Sequence, residues 1–412
     1  MRKFASLAVS ALCLGALPIT AAHSAPAKSP HYLLAHYMPW FEANPTLHKW
    51  GWHWTMGHMN PDQMTKGRRE IASRYYPLIG PYDSNDPDTL ECHVLLMKLA
   101  GIDGVLIDWY GMDDYLDYGL NNRNTLHMIQ YIKRAGLHYG IVYEEQTVPK
   151  LMEGNIITGT DPVPHGKRVL QWMQQQWFSD PAYITLSGKP VFLVFGGGYF
   201  KGDQWQQIFS SISTPLTFFT EDNRRPPADG AFAWPNPSAG LEGSRKQTDT
   251  FYTEAAHWPT FMPAAYPRFE DFYQQTGGHS WGQIDDQGGK TYQETLERSL
   301  KSGALITQLV TWNDWGEGTV IEPSVEFGYR DLEVTQRLRR KYLDPRFHYT
   351  PGDLRLPVAL YTLRKQLAND RPAQARLENA SRLLFAGKVD QARAALRALR
   401  TERHLPTVAV VR

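Results

Sequence analysis

Eight short apolar segments recur along the chain, and polar stretches with helical patterns lie between them. Most of the eight are continuous and rich in β-branched and aromatic residues, as is typical of parallel strands buried on both faces. They are Tyr32–Tyr37, Gly104–Trp109, Tyr139–Glu144, Val191–Phe195, Leu216–Thr220, Ala231–Trp234, Phe261–Ala265 and Ala304–Val310. The pattern predicts eight strands of one parallel sheet.

Helices are predicted in most of the gaps between these strands. Leu90, Val94 and Met97 share one helical face in a segment that Asp86-Pro87 begins and Gly101 ends. Further helices are predicted at Thr125–Ala135, Gly166–Phe178, Gln204–Ser211, Lys246–His257, Tyr292–Ser302 and Asp331–Tyr342. Eight strands alternating with helices predict an α/β fold, the (β/α)8 TIM barrel. A doubly wound open sheet is the competing arrangement, but no nucleotide-type glycine loop follows an early strand.

The chain changes character after residue 344. Residues 345–412 carry 13 Lys and Arg against 5 Asp and Glu, with leucines and alanines at helical spacing. This composition predicts a barrel domain at 28–344 and a C-terminal helical hairpin extension at 345–412, with Gly387 between its two helices. We expect the hairpin to pack on the flank of the barrel. The alternative is a protein-docking module similar to one tetratricopeptide-like unit.

The N-terminal residues have the pattern of an export signal. Arg2 and Lys3 precede a short apolar run, Ala5 to Leu17, and small residues follow it. We therefore predict a signal peptide at 1–27 and an exported protein, periplasmic or secreted, without a membrane span. Cys92 is the only cysteine after this cleavage, so stability must come from a core and not from an internal disulfide.

Composition limits the partners that the chain can have. The formal net charge is +1 and no lysine-rich tract is present, which argues against nucleic acid as a partner. The 13 Trp and 21 Tyr residues suit a carbohydrate site, although aromatic residues also simply pack. His53 and His58 are too isolated to predict a metal site, and no cofactor is expected.

The carboxyl ends of the strands in a parallel barrel converge on one face, which carries the active site. The polar and aromatic residues that end the predicted strands are therefore the candidates for substrate binding. They are His36, Trp40, Asp108, Tyr110, Glu144, Glu145, Glu221, Trp234 and Tyr266. Strand alternation turns only one of Glu144 and Glu145 inward, and Trp234 and Tyr266 are equally compatible with core packing.

The last strand leads into the most informative segment, Thr311–Thr319. Asp314 and Glu317 stand three residues apart on a tight turn, beside Trp312, Asn313 and Trp315. Two carboxylates that face one cavity are the minimum for acid/base cleavage of a glycosidic bond, and indoles suit the apolar faces of sugars. The alternative is a capping arrangement of the following turn.

These residues resemble the group formed by glycoside hydrolase families 71 and 99. Thr311 through Glu317 is similar to the family 71 α-1,3-glucanase motif, and Gly318–Pro323 is similar to the endo-α-mannosidases of family 99. The resemblance covers about residues 31–340. Family 71 continues with Ser-His-Tyr after its Glu, whereas family 99 has Glu at the position of Asp314 and His at that of Gly316. The substrate therefore cannot be carried over from either family.

The resemblance implies hydrolysis of an α-linked polysaccharide, α-glucan or α-mannan, at internal bonds. Glu317 would be the general acid and Asp314 the general base. The short Asp side chain leaves room for a water, which favours inversion as in family 71. A family 99-like route would instead deprotonate the sugar 2-hydroxyl and give retention. Two other functions remain open: a non-catalytic glycan-binding or polysaccharide-export protein on a hydrolase scaffold, and a transglycosylase.

Overall fold

The computed structural model describes residues 31–43 and 49–405, so the predicted signal peptide lies outside the described residues. Its main sheet contains eight parallel strands in the order β7-β8-β1-β2-β3-β4-β5-β6. The strands are β1 Tyr32–Tyr37, β2 Gly104–Trp109, β3 His138–Glu144, β4 Lys189–Phe195, β5 Thr217–Glu221, β6 Gly230–Phe232, β7 Ala264–Ala265 and β8 Ile306–Leu309. A parallel bridge from Phe232 to Met262 joins β6 to the chain entering β7. The predicted (β/α)8 barrel is thereby confirmed.

The two shortest strands show where the predicted strand lengths were wrong. β6 and β7 have three and two residues, whereas the apolar runs predicted four and five. The contact between these two segments consists of the backbone bonds from Ala233 N to Met262 O and from Met262 N to Ala231 O. Pro263, which has no N–H, then interrupts the ladder on the way to β7.

Twelve α-helices occur in the described part of the chain, and most of them cover the outside of the barrel. They are α1 Trp52–Thr55, α2 Pro87–Ala100, α3 Tyr118–Ala135, α4 Thr147–Glu153, α5 Val163–Gln176, α6 Gly202–Phe209, α7 Gly240–Ala255, α8 Lys290–Lys301, α9 Arg330–Tyr342, α10 Arg355–Gln366, α11 Arg371–Phe385 and α12 Val389–Glu402. The predicted signals at α2 hold, since the Asp86 side chain accepts from Asp88 N at 2.9 Å and Gly101 has φ 80°. None of the described helices is long and apolar enough to cross a membrane.

Alternation along the strands divides the apolar core into two layers. One layer fills the barrel itself and includes Leu34, Leu106 and Phe219. The larger layer lies between the strands and the helices, and Leu33, Val105 and Tyr139 belong to it. Because both faces are buried, the strands carry continuous apolar runs, and the polar residues that they do contain gather at their carboxyl ends.

The C-terminal extension contains three α-helices, not the two of the predicted hairpin. The chain turns after α10, where Asp370 caps α11 by accepting from Ala373 N at 3.0 Å and Pro372 occupies the first turn. Leu95 of α2 shares an apolar cluster with Leu360 and Leu363 of α10. The extension therefore packs on the flank of the barrel, as expected.

Candidate active site

The turn after β8 is held rigidly at the carboxyl end of the barrel. Thr311 Oγ1 accepts from Asp314 N at 2.8 Å and lies 2.9 Å from Thr319 Oγ1, across the turn. Asp314 Oδ1 in turn accepts from Glu317 N at 3.1 Å. The two carboxyl-bearing residues thus belong to one hydrogen-bonded turn, and both line the same cavity.

The two oxygen atoms of the Glu317 carboxyl group have different environments. Tyr273 donates to its Oε1 at 3.4 Å, while its Oε2 is buried and has no hydrogen-bond partner among the described residues. Burial and the neighbouring Asp314 raise the pKa of Glu317 well above its usual value. Its protonated form is therefore favoured, and in that form the carboxyl group has a proton to donate.

Asp314 has a different environment on the same turn. Burial raises its pKa to about 6, while the backbone N–H groups of Glu317 and Gly316 and the ring of His36 hold it down. Two carboxyl groups with separated pKa values can divide the roles of acid and base between them. In this site Glu317 is suited to be the acid and Asp314 to be the base.

His36 and Asp108 form a buried polar pair, of which Asp108 lines the cavity. His36 Nδ1 is 3.4 Å from Gln308 Oε1, and its Nε2 is 3.3 Å from Asp108 Oδ2. The Gln308 amide donates to Ala233 O, so its carbonyl oxygen faces Nδ1, which then carries the ring proton. Burial lowers the pKa of His36 to about 4 and raises that of Asp108 well above its usual value. The imidazole is thus neutral near neutral pH, and burial favours the protonated form of the Asp108 carboxyl group.

Glu144 lies next to Asp108 and is also buried. Burial first, and then the Asp108 carboxyl, raise the pKa of Glu144 well above its usual value. The Gln146 amide donates to Glu144 Oε2. The protonated form of Glu144 is therefore favoured, and in that form the side chain can donate one hydrogen bond and accept another.

The cavity has a volume of about 200 Å³, and aromatic side chains form much of its wall. Trp40 stacks on His53 with ring centroids 4.4 Å apart and on Tyr110 at 5.6 Å. Trp234 meets His36 edge-on at 4.9 Å. Aromatic faces next to paired carboxyl groups are the surfaces that a sugar ring requires.

Seven of the predicted substrate-binding residues do not line the cavity, and three of these are on the β8 turn. Trp312 is fully buried against His93 on the outer side of the barrel, with centroids 5.6 Å apart. Trp315 is also fully buried and donates from Nε1 to Tyr82 Oη at 3.1 Å. Asn313 accepts from Met38 N at 2.8 Å and so fastens the turn to the end of β1. A tight turn points its consecutive side chains in different directions, and only Asp314 and Glu317 face inward.

The other four corrections concern His36, Glu145, Glu221 and Tyr266. His36 is fully buried behind the wall and does not line the cavity. Glu145 accepts from Tyr199 N at 2.9 Å and holds the loop after β4, so alternation turned Glu144 alone inward. Glu221 accepts from Gly196 N at 3.1 Å, and burial raises its pKa to about 7. Tyr266 is buried with its hydroxyl 2.8 Å from Ser244 Oγ on α7.

Several lining residues were not among the sequence-based candidates. Tyr273 comes from a short 3-10 helix after β7, and Gln146 comes from the start of α4, two residues beyond the predicted strand end. Met38, Phe41, Met56 and Phe195 complete the apolar wall. Nothing in the sequence indicates that Tyr273 reaches Glu317. In residues 31–43 and 49–405, no three His, Cys, Asp or Glu side chains gather as a metal site would require.

A closed (β/α)8 barrel with two buried carboxyl groups of unequal pKa at the mouth defines the class of protein, a glycoside hydrolase. Comparison with known proteins agrees, although no family model matches the chain. The glycoprotein endo-α-1,2-mannosidase of Mus musculus is 23% identical over 375 residues, which are 77% of this chain and 76% of that protein. Its counterpart from Xenopus laevis is 21% identical over 332 residues, which are 68% of each chain.

Solved structures show the same fold. The family 99 endo-α-mannosidase of Bacteroides thetaiotaomicron superposes with a TM-score of 0.57 at 20% identity, over 76% of this chain and 98% of that one. These relatives confirm the predicted enzyme class and the family 99 side of the predicted resemblance. The chain is thus similar to the endo-α-mannosidases of glycoside hydrolase family 99.

Proposed function

We propose that this protein hydrolyses α-mannosidic bonds at internal positions of a glycan. The names of the curated relatives support the sugar and the internal mode of cleavage. The structural observation that carries the proposal is the pair of inward-facing carboxyl groups on the turn after β8. The pKa of Glu317 is raised well above its usual value, and that of Asp314 is about 6.

The two carboxyl groups have complementary tasks in this reaction. Protonated Glu317 gives its proton to the glycosidic oxygen as the bond to the leaving sugar breaks. Asp314 takes a proton on the opposite side of the reacting carbon atom. Both groups lie in a cavity with little solvent, where electrostatic effects on a developing charge are stronger than in water.

The stereochemical outcome that we propose is retention. The predicted inversion rested on the similarity to family 71 and is not supported, because the relatives found here are family 99 enzymes, which retain configuration. Asp314 would take the proton of the sugar 2-hydroxyl, whose oxygen then bonds to the anomeric carbon as the leaving sugar departs. Water, deprotonated by the Glu317 carboxylate, opens this ring, and the 2-oxygen recovers its proton from Asp314.

The first test is the anomer released from a linear α-manno-oligosaccharide, followed by proton NMR during the first turnovers. The α-anomer is expected from retention, whereas the β-anomer would overturn that route and restore the inverting one. Glu317→Gln should lose about a hundred- to ten-thousandfold in kcat, since general acid catalysis supplies about 10²–10⁴. The matched variant Glu254→Gln, on the exposed surface of α7, should keep full activity. Full activity in Glu317→Gln would refute the assignment.

The alternatives predict other products. A glycan-binding or polysaccharide-export protein would bind manno-oligosaccharides without releasing new reducing ends, and a transglycosylase would lengthen an added acceptor sugar. We also propose export through residues 1–27. The test of export is the N-terminal peptide of the protein recovered outside the cytoplasm, and an intact Met1 there would contradict cleavage.

A further inference from the structure

Met56 connects the loop after β1 to the catalytic turn. It ends α1, is 7% exposed and lines the catalytic cavity together with Asp314 and Gly316. Its φ of 43° is a conformation that non-glycine residues rarely adopt, and glycine is the usual residue there at the end of a helix. A methionine in this conformation, directly before Gly57, indicates that its side chain has a task in the site.

Gly316 leaves space that the Met56 side chain fills. A Cβ atom at Gly316 would lie 2.9 Å from Met56 Cε, which is closer than van der Waals contact allows. The backbone of Gly316 is not in the left-handed region, so the glycine serves space here and not conformation. The Met56 methyl group therefore occupies part of the volume that a side chain at position 316 would take.

The same point lies next to the carboxylate of Asp314. A Cβ atom at Gly316 would be 3.5 Å from Asp314 Oδ1. This oxygen accepts from Glu317 N within the turn and has room for a further donor. A water molecule beside Gly316 would find Oδ1 as an acceptor, and the methyl group of Met56 stands where that water would enter.

The Met56 side chain has a second contact in the loop after β7. Thr276 Oγ1 lies 3.9 Å from Met56 Sδ, and Thr276 ends the 3-10 helix Tyr273–Thr276. Tyr273, at the start of that helix, donates to Glu317. One short helix therefore contacts both the side chain beside Asp314 and the carboxyl group of Glu317.

Met56 carries no charge, so it acts on Asp314 through hydration and not through Coulomb interactions. The titratable groups that interact with Asp314 belong to other elements and are His36, Asp108, Tyr110, Tyr273 and Glu317. The titratable residue of α1, His53, lies 3.3 Å from Asp117. Burial is the largest cause that raises the pKa of Asp314 to about 6, so the residues that keep water away determine this value.

We propose that Met56 is a positioning residue that acts through Asp314. Its methyl group takes the place of a water molecule beside Asp314 Oδ1, so that the substrate hydroxyl is the group from which Asp314 takes a proton. The room for water that the short Asp314 side chain leaves is thereby closed, which suits retention. The inference rests on the proposed function for the role of Asp314 as the base.

The first test truncates the side chain. Met56→Ala removes the thioether and opens room for a water molecule, whose share of liquid volume is about 30 Å³. Hydration favours the ionised form of Asp314, so the fall of kcat/KM at low pH, the acid limb, should move about one pH unit lower. The plateau of kcat should fall about three- to tenfold, because a weaker base takes a proton more slowly. Met64→Ala, at a 58% exposed position of the loop after β1, should change neither.

The second test returns a methyl group to the same point from the turn. In Gly316→Ala the new methyl group meets Met56 Cε, which is the end of a flexible side chain and has to move away. In the double variant Met56→Ala/Gly316→Ala the alanine methyl group lies beside Asp314 Oδ1 without that collision. The acid limb of the double variant should therefore return to its position in the parent protein, and the plateau of kcat should exceed that of Met56→Ala.

Polarity separates the role of Met56 from simple packing. Met56→Gln keeps the length of the side chain but places an amide donor beside Asp314, so the acid limb should again move to lower pH. Met56→Leu keeps an apolar side chain and should leave the acid limb in place. This pair decides the question if the alanine variant does not fold, because both replacements preserve most of the buried volume.

An acid limb that stays in place in Met56→Ala and in Met56→Gln would overturn the inference. A double variant whose acid limb remains as low as that of Met56→Ala would overturn it as well. Crystal structures give a readout that needs no activity. A water molecule within about 3.2 Å of Asp314 Oδ1, at the place of the lost methyl group, is expected in Met56→Ala and in neither the parent protein nor the double variant.

Failure of the proposed function gives a different result. If the parent protein released no new reducing ends while the crystallographic water followed the expected pattern, the shielding of Asp314 would stand and the hydrolytic activity would not. If cleavage occurred with one acid limb common to all the variants, the activity would stand and the role of Met56 would not.

Discussion

Asp314 and Glu317 share a turn and a cavity, yet their protonation differs because their immediate partners differ. Asp314 accepts backbone N–H groups, which stabilise its ionised form, whereas Glu317 has one long contact with a tyrosine hydroxyl and an oxygen without a described partner. The N–H groups belong to the same turn, and the tyrosine hydroxyl belongs to a loop that contacts the turn. At the scale of the residue, the difference between the pKa values of the two carboxyl groups therefore depends on hydrogen-bond geometry.

This difference predicts the dependence of activity on pH. A base with a pKa of about 6 must be ionised, so kcat/KM should fall tenfold per unit as the pH drops below about 6. At high pH a second fall should follow as Glu317, whose pKa is raised, loses its proton. A profile on manno-oligosaccharide measured from pH 4 to pH 9 checks both limbs.

A neighbouring carboxyl group provides the control for the acid limb. Burial also raises the pKa of Asp222 to about 6, but this residue accepts from Trp234 N and does not line the cavity. Its φ of 53° suits asparagine as well as aspartate. Asp222→Asn should therefore leave the acid limb in place, and loss of that limb in this variant would contradict the role given to Asp314.

At the scale of the element, the β8 turn depends on a buried polar network behind it. Tyr82 donates to Glu322 Oε2 at 2.7 Å and accepts from Asn313 Nδ2 and from Trp315 Nε1, both at 3.1 Å. Glu322 also lies 3.1 Å from His93 Nε2 on α2. The network links a loop, a helix and the turn, so it fixes the direction in which the catalytic carboxyl groups point.

Removing one hydroxyl group should loosen this element. Tyr82→Phe leaves three buried groups with one partner fewer each, and we expect a loss of about 1–3 kcal/mol in the free energy of unfolding. A less well-fixed β8 turn should lower kcat about ten- to a hundredfold. KM should change little, because Tyr82 does not line the catalytic cavity. Urea unfolding and steady-state kinetics measure the two effects.

Tyr131→Phe on α3 is the matched control, since this half-buried residue is far along the chain from the network. It should alter neither stability nor kcat by a measurable amount. A Tyr82→Phe protein that lost stability but kept its full kcat would show that the network supports the fold without orienting the turn.

At the scale of the whole molecule, the C-terminal helices are joined to the barrel by charge as well as by apolar packing. Arg364 of α10 donates to both carboxylate oxygens of Glu91 on α2, at 2.7 and 3.1 Å, and to Glu378 of α11 at 3.1 Å. Glu91 is buried and also accepts from Ser381 Oγ. The extension and the barrel therefore share one interior and should unfold together.

Removing the arginine of this pair should destabilise the protein, because the glutamate stays buried. Arg364→Leu leaves Glu91 buried with Arg134 at 3.9 Å as its remaining salt-bridge partner, and we expect about 3 kcal/mol of destabilisation. Activity at low temperature should be unchanged, because the pair lies on the flank of the barrel. Arg382→Leu, at an exposed position of α11, should stay within about 0.5 kcal/mol of the parent protein in urea unfolding. Two separate unfolding transitions in the parent protein would contradict the shared interior.

The sequence by itself determined the eight strands, most of the helices around them and the end of the barrel where chemistry occurs. Hydrophobic periodicity, helix caps and apolar runs are local signals in the sequence. The rule that parallel strands bring their carboxyl ends together then predicts which end of the barrel carries the candidate site. It also determined Asp314 and Glu317, because their spacing on the β8 turn is local. The third C-terminal helix was missed although Asp370 and Pro372 signal its start.

Only the tertiary structure decided which neighbours of those residues face the cavity. Trp312 and Trp315 were predicted from the sequence to contact sugar, but both are buried in the core. The direction of a side chain on a turn depends on the residues that pack behind the turn. Tyr273 comes from a loop 44 residues before Glu317, the residue that it contacts. Contacts between distant segments, and the burial that sets each pKa, exist only once the chain has closed into a barrel.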